Sequence, residues 1–389
     1  MSETADAERL IISNQRHLFE IPEDVTYLNC ASISPQLRVV SAAGFESVKL
    51  KAKPWRITSE HWFTNAKTLR KIAGKIIGGD EKSIAIVPSV SYGIAVAAAN
   101  VRVERGQSIV LLDNEFPSNY YAWKELAGER GASIDLVRRG DGGETWTQAI
   151  LEAINENTAA VSVPNCHWTD GSLVDLEKVG EKARSVGAAF VVDASQSLGA
   201  YPLNITKVQP DFLVATGYKW LLCPYAICFM YVAPKWQETG KPIENSWLNR
   251  WGSESFSRLI DYTDEYETGA RRFDMGEFSN FVLVPMAIAA LRQIDEWQVG
   301  KIQQTLSILT NSIAEKAIKL GCKVAPHQDR VGHLIGIRLP NGASDELGER
   351  LAEEKIYVGI RGDALRIAPY LYNAENDIEK LFAVLQKII

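Results

Sequence analysis

The sequence predicts an α/β fold, in which helices cover a mostly parallel sheet and a smaller α+β unit follows. Short apolar runs of strand length alternate with amphipathic stretches of helical period through the middle of the chain, as is typical of parallel sheets with crossover helices. After about residue 282 a long helical stretch and a mixed tail replace this alternation. The chain has 389 residues, 46% of them hydrophobic, which allows two or three domains of about 100–200 residues each.

Each element is predicted from its own pattern. The buried strands are short apolar runs, at 83–87, 108–112, 159–163, 189–192, 212–215 and 227–232. The helices between several of them have apolar residues at helical spacing, at 64–77, 94–101, 120–130, 146–155 and 176–185. The C-terminal part is predicted to hold a helical stretch, two strands and a last helix, at 284–320, 334–339, 365–368 and 377–388.

The change of pattern near residue 282 gives the predicted domain division. A large domain spans 28–282, and a small domain combines 1–27 with 283–389. Ligands of parallel sheets bind at the carboxyl ends of the strands, so the site is expected in the large domain. The segment 239–272 is rich in Gly, Ser, Asn, Trp and charged residues, and an irregular stretch of this length is more often functional than structural.

The composition argues against several classes of protein. The net charge is −6, from 42 basic and 48 acidic residues, without a long basic block, so neither nucleic acid nor an anionic membrane is an expected partner. No apolar run reaches the ~20 residues of a membrane span, and the acidic start lacks the features of a secretory signal. The five cysteines are scattered and form neither a disulfide framework nor a metal-ligand spacing. The expected location is the cytoplasm, and no metal site is predicted.

Lys219 and Asp193 carry the strongest chemical signal in the chain. Asp193 directly follows the apolar run 189–192, and Lys219 comes shortly after the run 212–215. An acid and a lysine at two strand ends form a Schiff-base layout, in which the lysine holds an aldehyde cofactor and the acid charges its ring nitrogen. The apolar and aromatic flanks of Lys219 favour its neutral, nucleophilic amine. A capping aspartate and a solvated surface lysine are the alternatives, and the pairing argues against them.

A phosphate-bearing cofactor also needs hydrogen-bond donors, and two places supply them. The segment 88–93 joins a strand to a helix, where free backbone N–H groups and the Ser91 hydroxyl can cradle a phosphate. Thr216, just before the lysine, can add a hydroxyl from the other side. Gln196 is a candidate donor to the phenolic oxygen of the ring. Phe116 is a candidate for stacking on its face, although a core phenylalanine at a turn explains the local sequence equally well.

Three further residues are candidates for binding the substrate. Arg366 lies on a short apolar strand, where either a substrate carboxylate or a neighbouring acid would satisfy its guanidinium. His167 follows the apolar run 159–163 and either lies beside the cofactor or makes a structural hydrogen bond. Asn29, in the segment 27–35, is the third candidate.

These segments together resemble the class V aminotransferase family, pyridoxal-phosphate-dependent enzymes of fold type I. The resemblance runs from 27–35 to the motif Arg-Ile-Ala-Pro at 366–369, and its most specific part pairs 192–197 with Gly-Tyr-Lys at 217–219. It implies a seven-stranded, mostly parallel sheet sandwiched by helices, with a smaller C-terminal α+β domain. It also implies that the cofactor is pyridoxal 5′-phosphate.

The resemblance further implies a role for each matching residue. Lys219 would hold the cofactor as an internal aldimine, Asp193 would contact its pyridinium, and Gln196 its phenolate. Arg366 matches the arginine that binds the substrate α-carboxylate. The residues that match the family's phosphate-binding positions are Ser91, Tyr92, Thr216 and Tyr218.

Members of the family are typically homodimers, in which the partner subunit completes each active site. The segment 271–280 matches this contribution. Many relatives have a Gly-Thr pair there, with the threonine on the phosphate, whereas this chain has Gly276-Glu277. Ser279 or Asn280 is expected to take over that contact. The other expected partner is a small amino-acid substrate.

The resemblance leaves the reaction open between several branches of the family. Cysteine desulfurases and selenocysteine lyases need a loop cysteine, which one branch places shortly before the arginine matching Arg366. The stretch 358–365 has neither cysteine nor histidine, and Cys322 lies too far upstream. Kynureninases share a Phe-Pro-Ser segment such as 116–118 and the Arg-x-Ala-Pro tail, but their Asn-Ser-Leu-Gly near the N-terminus is replaced at 30–33.

The expected function is therefore transamination of an α-amino acid. The alternatives are a carbon–sulfur lyase that needs no thiol, an amino-acid epimerase and a kynureninase-like hydrolase. An inactive scaffold with the same fold is the alternative outside enzymes.

Overall fold

Thirteen strands and twelve α-helices build the part of the chain that the computed structural model describes, residues 12–140, 143–340, 342 and 345–387. The strands are β1 (Thr26–Tyr27), β2 (Ile84–Val87), β3 (Ser108–Leu112), β4 (Ser133–Val137), β5 (Thr158–Pro164), β6 (Ala189–Asp193), β7 (Phe212–Thr216), β8 (Cys228–Val232), β9 (Lys323–Val324), β10 (Ile335–Arg338), β11 (Ile356–Tyr357), β12 (Gly359–Arg361) and β13 (Ala364–Ile367). The helices are α1 (Arg38–Lys51), α2 (Ser59–Ile77), α3 (Val90–Asn100), α4 (Pro117–Arg130), α5 (Trp146–Ala153), α6 (Leu176–Ser185), α7 (Ile205–Val208), α8 (Pro234–Thr239), α9 (Leu283–Trp297), α10 (Val299–Lys319), α11 (Asp345–Glu353) and α12 (Glu375–Leu385).

The central sheet has seven strands in the order β2-β8-β7-β6-β5-β3-β4. Strand β8 is antiparallel to both of its neighbours, and the pairings from β7 through β4 are parallel. The carboxyl ends of β3, β5, β6 and β7 therefore meet at one edge of the sheet. This is the seven-stranded, mostly parallel sheet that the family resemblance implies.

Strand β4 is the one member of the central sheet that the sequence analysis did not predict. It lies at the edge, and four of its five residues, Asp135 among them, are exposed or half-buried. An edge strand with a charged residue lacks the continuous apolar run that identifies a buried strand.

Helix α3 begins four residues before its predicted start. The Ser89 hydroxyl accepts a hydrogen bond from the backbone N–H of Tyr92 at 3.1 Å, which caps the first turn. The capping serine therefore sets the start of the helix, and the apolar periodicity becomes evident only later. None of the helices in the described ranges is long and apolar enough to cross a membrane.

The long helical stretch predicted at 284–320 is two helices, α9 and α10. Gln298 separates them with a φ of 65°, in the left-handed region that ends an α-helix. Helix α9 packs against α1 and α2. The apolar periodicity continues through the break, so it conceals the change of direction.

The C-terminal residues form a four-stranded sheet in the order β12-β13-β10-β9. An N-terminal strand joins this part of the molecule, because β1 pairs in parallel with β11. The division into 28–282 and 1–27 with 283–389 stays a prediction, and residues 1–11, 388 and 389 lie outside the described residues.

Candidate active site

A cavity of ≈ 250 Å³ lies at the carboxyl edge of the central sheet. Its walls come from segments that follow β2, β3, β5, β6 and β7, where parallel sheets bind their ligands. The sequence candidates that line it are Ser91, Phe116, Asp193, Gln196, Thr216, Tyr218 and Lys219. The candidates that do not line it are Asn29, Tyr92, His167, Asn280 and Arg366.

A tight turn between β7 and β8 presents Lys219 to the cavity. The backbone N–H of Gly217 donates to the carbonyl oxygen of Ile227 at 3.0 Å, and that of Cys223 donates to Gly217 at 3.0 Å. An added Cβ on Gly217 would lie 2.3 Å from the Ile227 oxygen. Only glycine therefore fits this close approach of two backbone segments.

The Lys219 amine is surrounded by aromatic rings and other charges. The residue is 6% exposed, and its Nζ lies 5.2 Å from the centroid of the Phe116 ring. Burial lowers the pKa of Lys219 to about 8, Asp193 opposes this shift, and Arg366 and Arg361 add to it. Burial therefore greatly increases the neutral fraction of this amine near physiological pH.

Asp193 ends β6 and faces the same cavity. Its Oδ1 accepts a hydrogen bond from the backbone N–H of Ser195 at 2.9 Å. Burial raises the pKa of Asp193, against the hydrogen bonds from Ser195 and the charge of Lys219. A cation bound in the cavity would stabilise this buried carboxylate, which suits a protonated ring nitrogen.

The Gln196 carboxamide has a fixed orientation. Its Nε2 donates to the carbonyl oxygen of Ala31 at 3.0 Å, and its Oε1 accepts from Trp220 Nε1 at 3.0 Å. An amide nitrogen carries two hydrogens, so one donor remains for a group in the cavity.

Hydroxyl groups and a helix N-terminus collect at another part of the cavity. The Ser89 and Ser91 oxygens lie 2.9 Å apart at the start of α3, where the first backbone N–H groups of a helix lack intrahelical partners. The buried Thr216 Oγ1 also has no hydrogen-bond partner. This set of donors fits a phosphate. The hydroxyl of Tyr92 is likewise buried without a partner, although Tyr92 lies outside the cavity lining.

Aromatic side chains form the remaining wall. The rings of Phe116 and Trp168 pack edge to face with centroids 5.5 Å apart, and both residues line the cavity. Tyr218 packs against Tyr225 at 4.6 Å, and burial raises the pKa of Tyr218 to about 12. This wall suits a flat aromatic ligand.

Arg366 contacts the cavity wall through Trp168, and it also contacts Asn29 outside that wall. Its Nη1 donates to the Trp168 carbonyl oxygen at 3.1 Å, and its Nη2 donates to Asn29 Oδ1 at 3.4 Å. Burial lowers the pKa of Arg366 to about 9, and Arg361 lowers it further. Its Nε is buried without a partner, and no carboxylate of the described residues forms an ion pair with it. A salt bridge therefore does not account for this arginine.

His167 is engaged outside the cavity. Its Nδ1 lies 2.7 Å from the Thr169 hydroxyl and its Nε2 lies 3.3 Å from the Asp113 carbonyl oxygen. The ring stacks on Trp146 with centroids 5.1 Å apart. Burial lowers the pKa of His167, which favours the neutral imidazole. The contacts of this ring agree with a structural hydrogen bond, the alternative that the sequence also allowed.

Asn280 lies at the start of α9 in this chain. Its Oδ1 accepts hydrogen bonds from the backbone N–H groups of Val282 at 3.0 Å and Leu283 at 2.8 Å. The Asn280 side chain therefore satisfies two backbone N–H groups at the start of α9.

Glu115 is a titratable cavity residue that the sequence analysis did not single out. It is 9% exposed, its Oε1 accepts from the backbone N–H of Phe116 at 2.7 Å, and its Oε2 is buried without a partner. Burial raises the pKa of Glu115 to about 8, and Asp193 adds to the shift. The only sequence signal is its position directly before Phe116, because a glutamate at a turn is usually solvated.

The comparisons with known proteins agree with this geometry. The family model for Aminotransferase class-V matches residues 27–381. The uncharacterized aminotransferase YcbU of Bacillus subtilis (strain 168) is 26% identical over 367 residues, 93% of this chain and 94% of that protein. Isopenicillin N epimerase of Amycolatopsis lactamdurans is 23% identical over 402 residues, 97% of this chain and 98% of that protein. The apo cysteine desulfurase structure from Thermococcus onnurineus NA1 has a TM-score of 0.84 at 21% identity, covering 97% of this chain and 98% of that chain.

The fold and the cavity define an enzyme of fold type I. The chain belongs to the class V aminotransferase family, since the family model spans nearly its whole length. The cofactor of this family is pyridoxal 5′-phosphate, and the resemblance inferred from the sequence is confirmed.

Proposed function

We propose that the chain removes the Cα proton of an α-amino acid, with Lys219 as both the cofactor lysine and the general base. The observation that carries this proposal is that Lys219 and Asp193 line one cavity, where burial lowers the pKa of the lysine to about 8. Both roles need a neutral amine, and this pKa supplies it near neutral pH.

The residues proposed to contact the cofactor from this chain are Ser91, Tyr92, Phe116, Asp193, Gln196, Thr216, Tyr218 and Lys219. The unpartnered Thr216 hydroxyl and the start of α3 support phosphate binding at one end. Asp193 would accept the hydrogen of the ring nitrogen and keep it protonated, and Gln196 Nε2 would donate to the phenolic oxygen. The Phe116 ring would cover one face.

The side chains divide the chemistry among them. When bound, the cofactor supplies an electron sink for the negative charge that develops at the substrate Cα. Arg366 would bind the α-carboxylate, with Asn29 orienting its guanidinium through Nη2. Lys219 Nζ then takes the Cα proton and holds it, and the carbon to which it returns the proton decides the reaction. Phe116 and Trp168, which line the cavity, would shield that proton from water.

Transamination is the reaction proposed first. A desulfurase of the branch considered from the sequence would need a thiol on a mobile loop shortly before Arg366. In this chain that position is a hairpin, in which only Gly362 and Asp363 join β12 to β13. The cavity cysteines, Cys166 and Cys228, are buried, and burial raises the pKa of both thiols. A reaction that needs only Lys219 as its acid and base agrees with these observations.

Epimerisation is the second candidate, favoured by Glu115. Two-base epimerisation needs a second acid or base besides Lys219, and burial raises the pKa of Glu115 to about 8 in the same cavity. The similarity of this chain to isopenicillin N epimerase, which extends over nearly the whole length of both proteins, supports the same candidate.

An amino-acid panel on the cofactor-loaded protein separates the reactions. We expect a keto acid with one equivalent of pyridoxamine phosphate when no acceptor is present. Racemised substrate without keto acid would favour epimerisation. Pyruvate with a released thiol would favour a carbon–sulfur lyase. Release of anthranilate from kynurenine would favour a kynureninase. Lys219→Ala should abolish all of them, and turnover by that variant would refute the assigned base.

We further propose that the chain works as a homodimer in the cytoplasm. Phe45, Val48 and Trp55 are exposed near one another in sequence, at 70%, 56% and 79%, which is unusual unless a partner covers them. Tyr225 lines the cavity and is nonetheless 67% exposed, so a second subunit is proposed to complete the site with its Asn280 segment. The five cysteines are free and buried thiols, as in reducing compartments. Sedimentation equilibrium of the holoenzyme tests the dimer, and a monomer would refute it.

A further inference from the structure

The hairpin β12–β13 presents two arginines on one face. In its register Arg361 is opposite Ala364, and Gly359 is opposite Arg366. Side chains alternate along a strand, and residues directly opposite in a pair share a face. The other face belongs to the C-terminal core, where Leu365 and Ile367 are fully buried and Ile360 packs against them. The face with Arg361 and Arg366 is therefore turned away from that core.

Both arginines contact Trp168, which lines the cavity. Arg366 donates to its carbonyl oxygen at 3.1 Å, and the Arg361 guanidinium carbon lies 5.7 Å from its ring centroid. Both also lower the pKa of Lys219. The two guanidinium groups therefore lie on the Trp168 side of the cavity and raise the positive potential at Lys219.

Neither guanidinium has an acidic partner among the described residues, although a neighbouring arginine has two. Arg338 pairs with Asp170 and with Asp363. Arg361 donates to the backbone oxygen of its neighbour Ile360 at 2.6 Å and forms no ion pair in the described ranges. Burial lowers the pKa of Arg361, so its half-buried charge is only partly compensated.

The two other residues on this face are small, which lets the Arg366 guanidinium pack closely over Gly359. Gly359 has no side chain, and a Cβ there would lie 3.2 Å from Arg366 Nε and 3.3 Å from its Nη2. Ala364, opposite Arg361, adds one methyl group. The polar groups that this face of the hairpin carries are therefore the two guanidinium groups.

We propose that the substrate is a dicarboxylic amino acid, whose α-carboxylate binds Arg366 and whose side-chain carboxylate binds Arg361. This inference rests on the proposed function and names the substrate class of the same site. Two unpaired guanidinium groups on one face beside the general base are costly to desolvate, and two carboxylates on one ligand would compensate both. A neutral amino acid would leave Arg361 without a counter-charge.

Calorimetric titration of the holoenzyme with simple carboxylates tests the proposal without turnover. Succinate, glutarate and adipate are compared with propionate, butyrate and pentanoate, which lack the second charge. The best dicarboxylate should bind at least about tenfold more tightly than its monocarboxylate, as for a hydrogen bond between charged groups. Arg361→Gln should remove this difference by weakening dicarboxylate binding far more than monocarboxylate binding, and Arg361→Lys should restore part of the difference. Arg338→Gln removes a nearby charge that is already paired and should preserve the difference.

Two results would overturn the proposal. Equal binding of mono- and dicarboxylates by the unaltered holoenzyme would mean that Arg361 receives no second carboxylate. An equal loss of both ligand classes in Arg361→Gln would mean that both arginines bind the single α-carboxylate. Failure of the proposed function is a separate outcome, because the cofactor-loaded protein would then give no spectral change with any member of the amino-acid panel.

Discussion

The reactivity of Lys219 in the cofactor-free protein is the property that the structure predicts most quantitatively. Burial lowers the pKa of Lys219 from 10.5 to about 8. At pH 7.5 about a quarter of such an amine is neutral, against about 0.1% at the ordinary pKa, a difference of roughly two hundredfold. Acylation needs the neutral amine, so the labelling rate should rise with pH and reach half of its plateau near pH 8.

Two substitutions should move this midpoint in opposite directions. Asp193→Asn removes the charge that raises the pKa of Lys219, so the midpoint should fall below that of the unaltered protein. Arg366→Gln removes a charge that lowers the pKa, so the midpoint should rise. Competitive acetylation from pH 6 to 11, with each lysine quantified by peptide mass spectrometry, measures the midpoints, and the exposed Lys49 is the internal control. A Lys219 midpoint equal to that of Lys49, or shifts of the same sign in both variants, would refute the electrostatic account.

Three further substitutions test the geometry of the site. Gly217→Ala would place a Cβ 2.3 Å from a backbone oxygen, so it should lower the free energy of unfolding by about 1–3 kcal/mol and weaken pyridoxal phosphate binding; unchanged affinity would contradict the tight turn. Trp220→Phe removes the hydrogen-bond donor to Gln196 Oε1 and should lower the free energy of unfolding by about 1–3 kcal/mol. An unaltered denaturant midpoint would mean that this hydrogen bond contributes nothing to stability. Gly359→Ala crowds Arg366 and should weaken amino-acid binding several-fold with cofactor affinity unchanged, whereas loss of cofactor affinity would point to general misfolding.

The central strands and the cofactor lysine were accessible to sequence reasoning for the same physical reason. Strands β6 and β7 are buried on both faces and therefore appear as uninterrupted apolar runs. Asp193 ends one of them, and Lys219 follows the other. Because parallel strands end at one edge, their order along the chain already predicted that these side chains meet.

Other parts depended on contacts that a linear sequence does not contain. His167 and Trp168 are adjacent, and the strand end turns Trp168 into the cavity and His167 towards Trp146. Which of two neighbours faces inward depends on the backbone direction at that point. The residue before Phe116, Glu115, becomes a cavity group only because the fold buries its Oε2 without a partner. The face of the hairpin on which Arg361 lies depends on the register between β12 and β13. That register cannot be read from the sequence until the pairing of the two strands is known.

The most direct test of the account is the identity of the lysine that binds pyridoxal 5′-phosphate. The protein is incubated with the cofactor, reduced with borohydride and digested, and the modified peptide is sequenced by mass spectrometry. We predict one phosphopyridoxyl group per chain, on Lys219, with no such group in Lys219→Ala. A modification at another lysine that survives in Lys219→Ala, or none in the unaltered protein, would contradict the assignment of the active site.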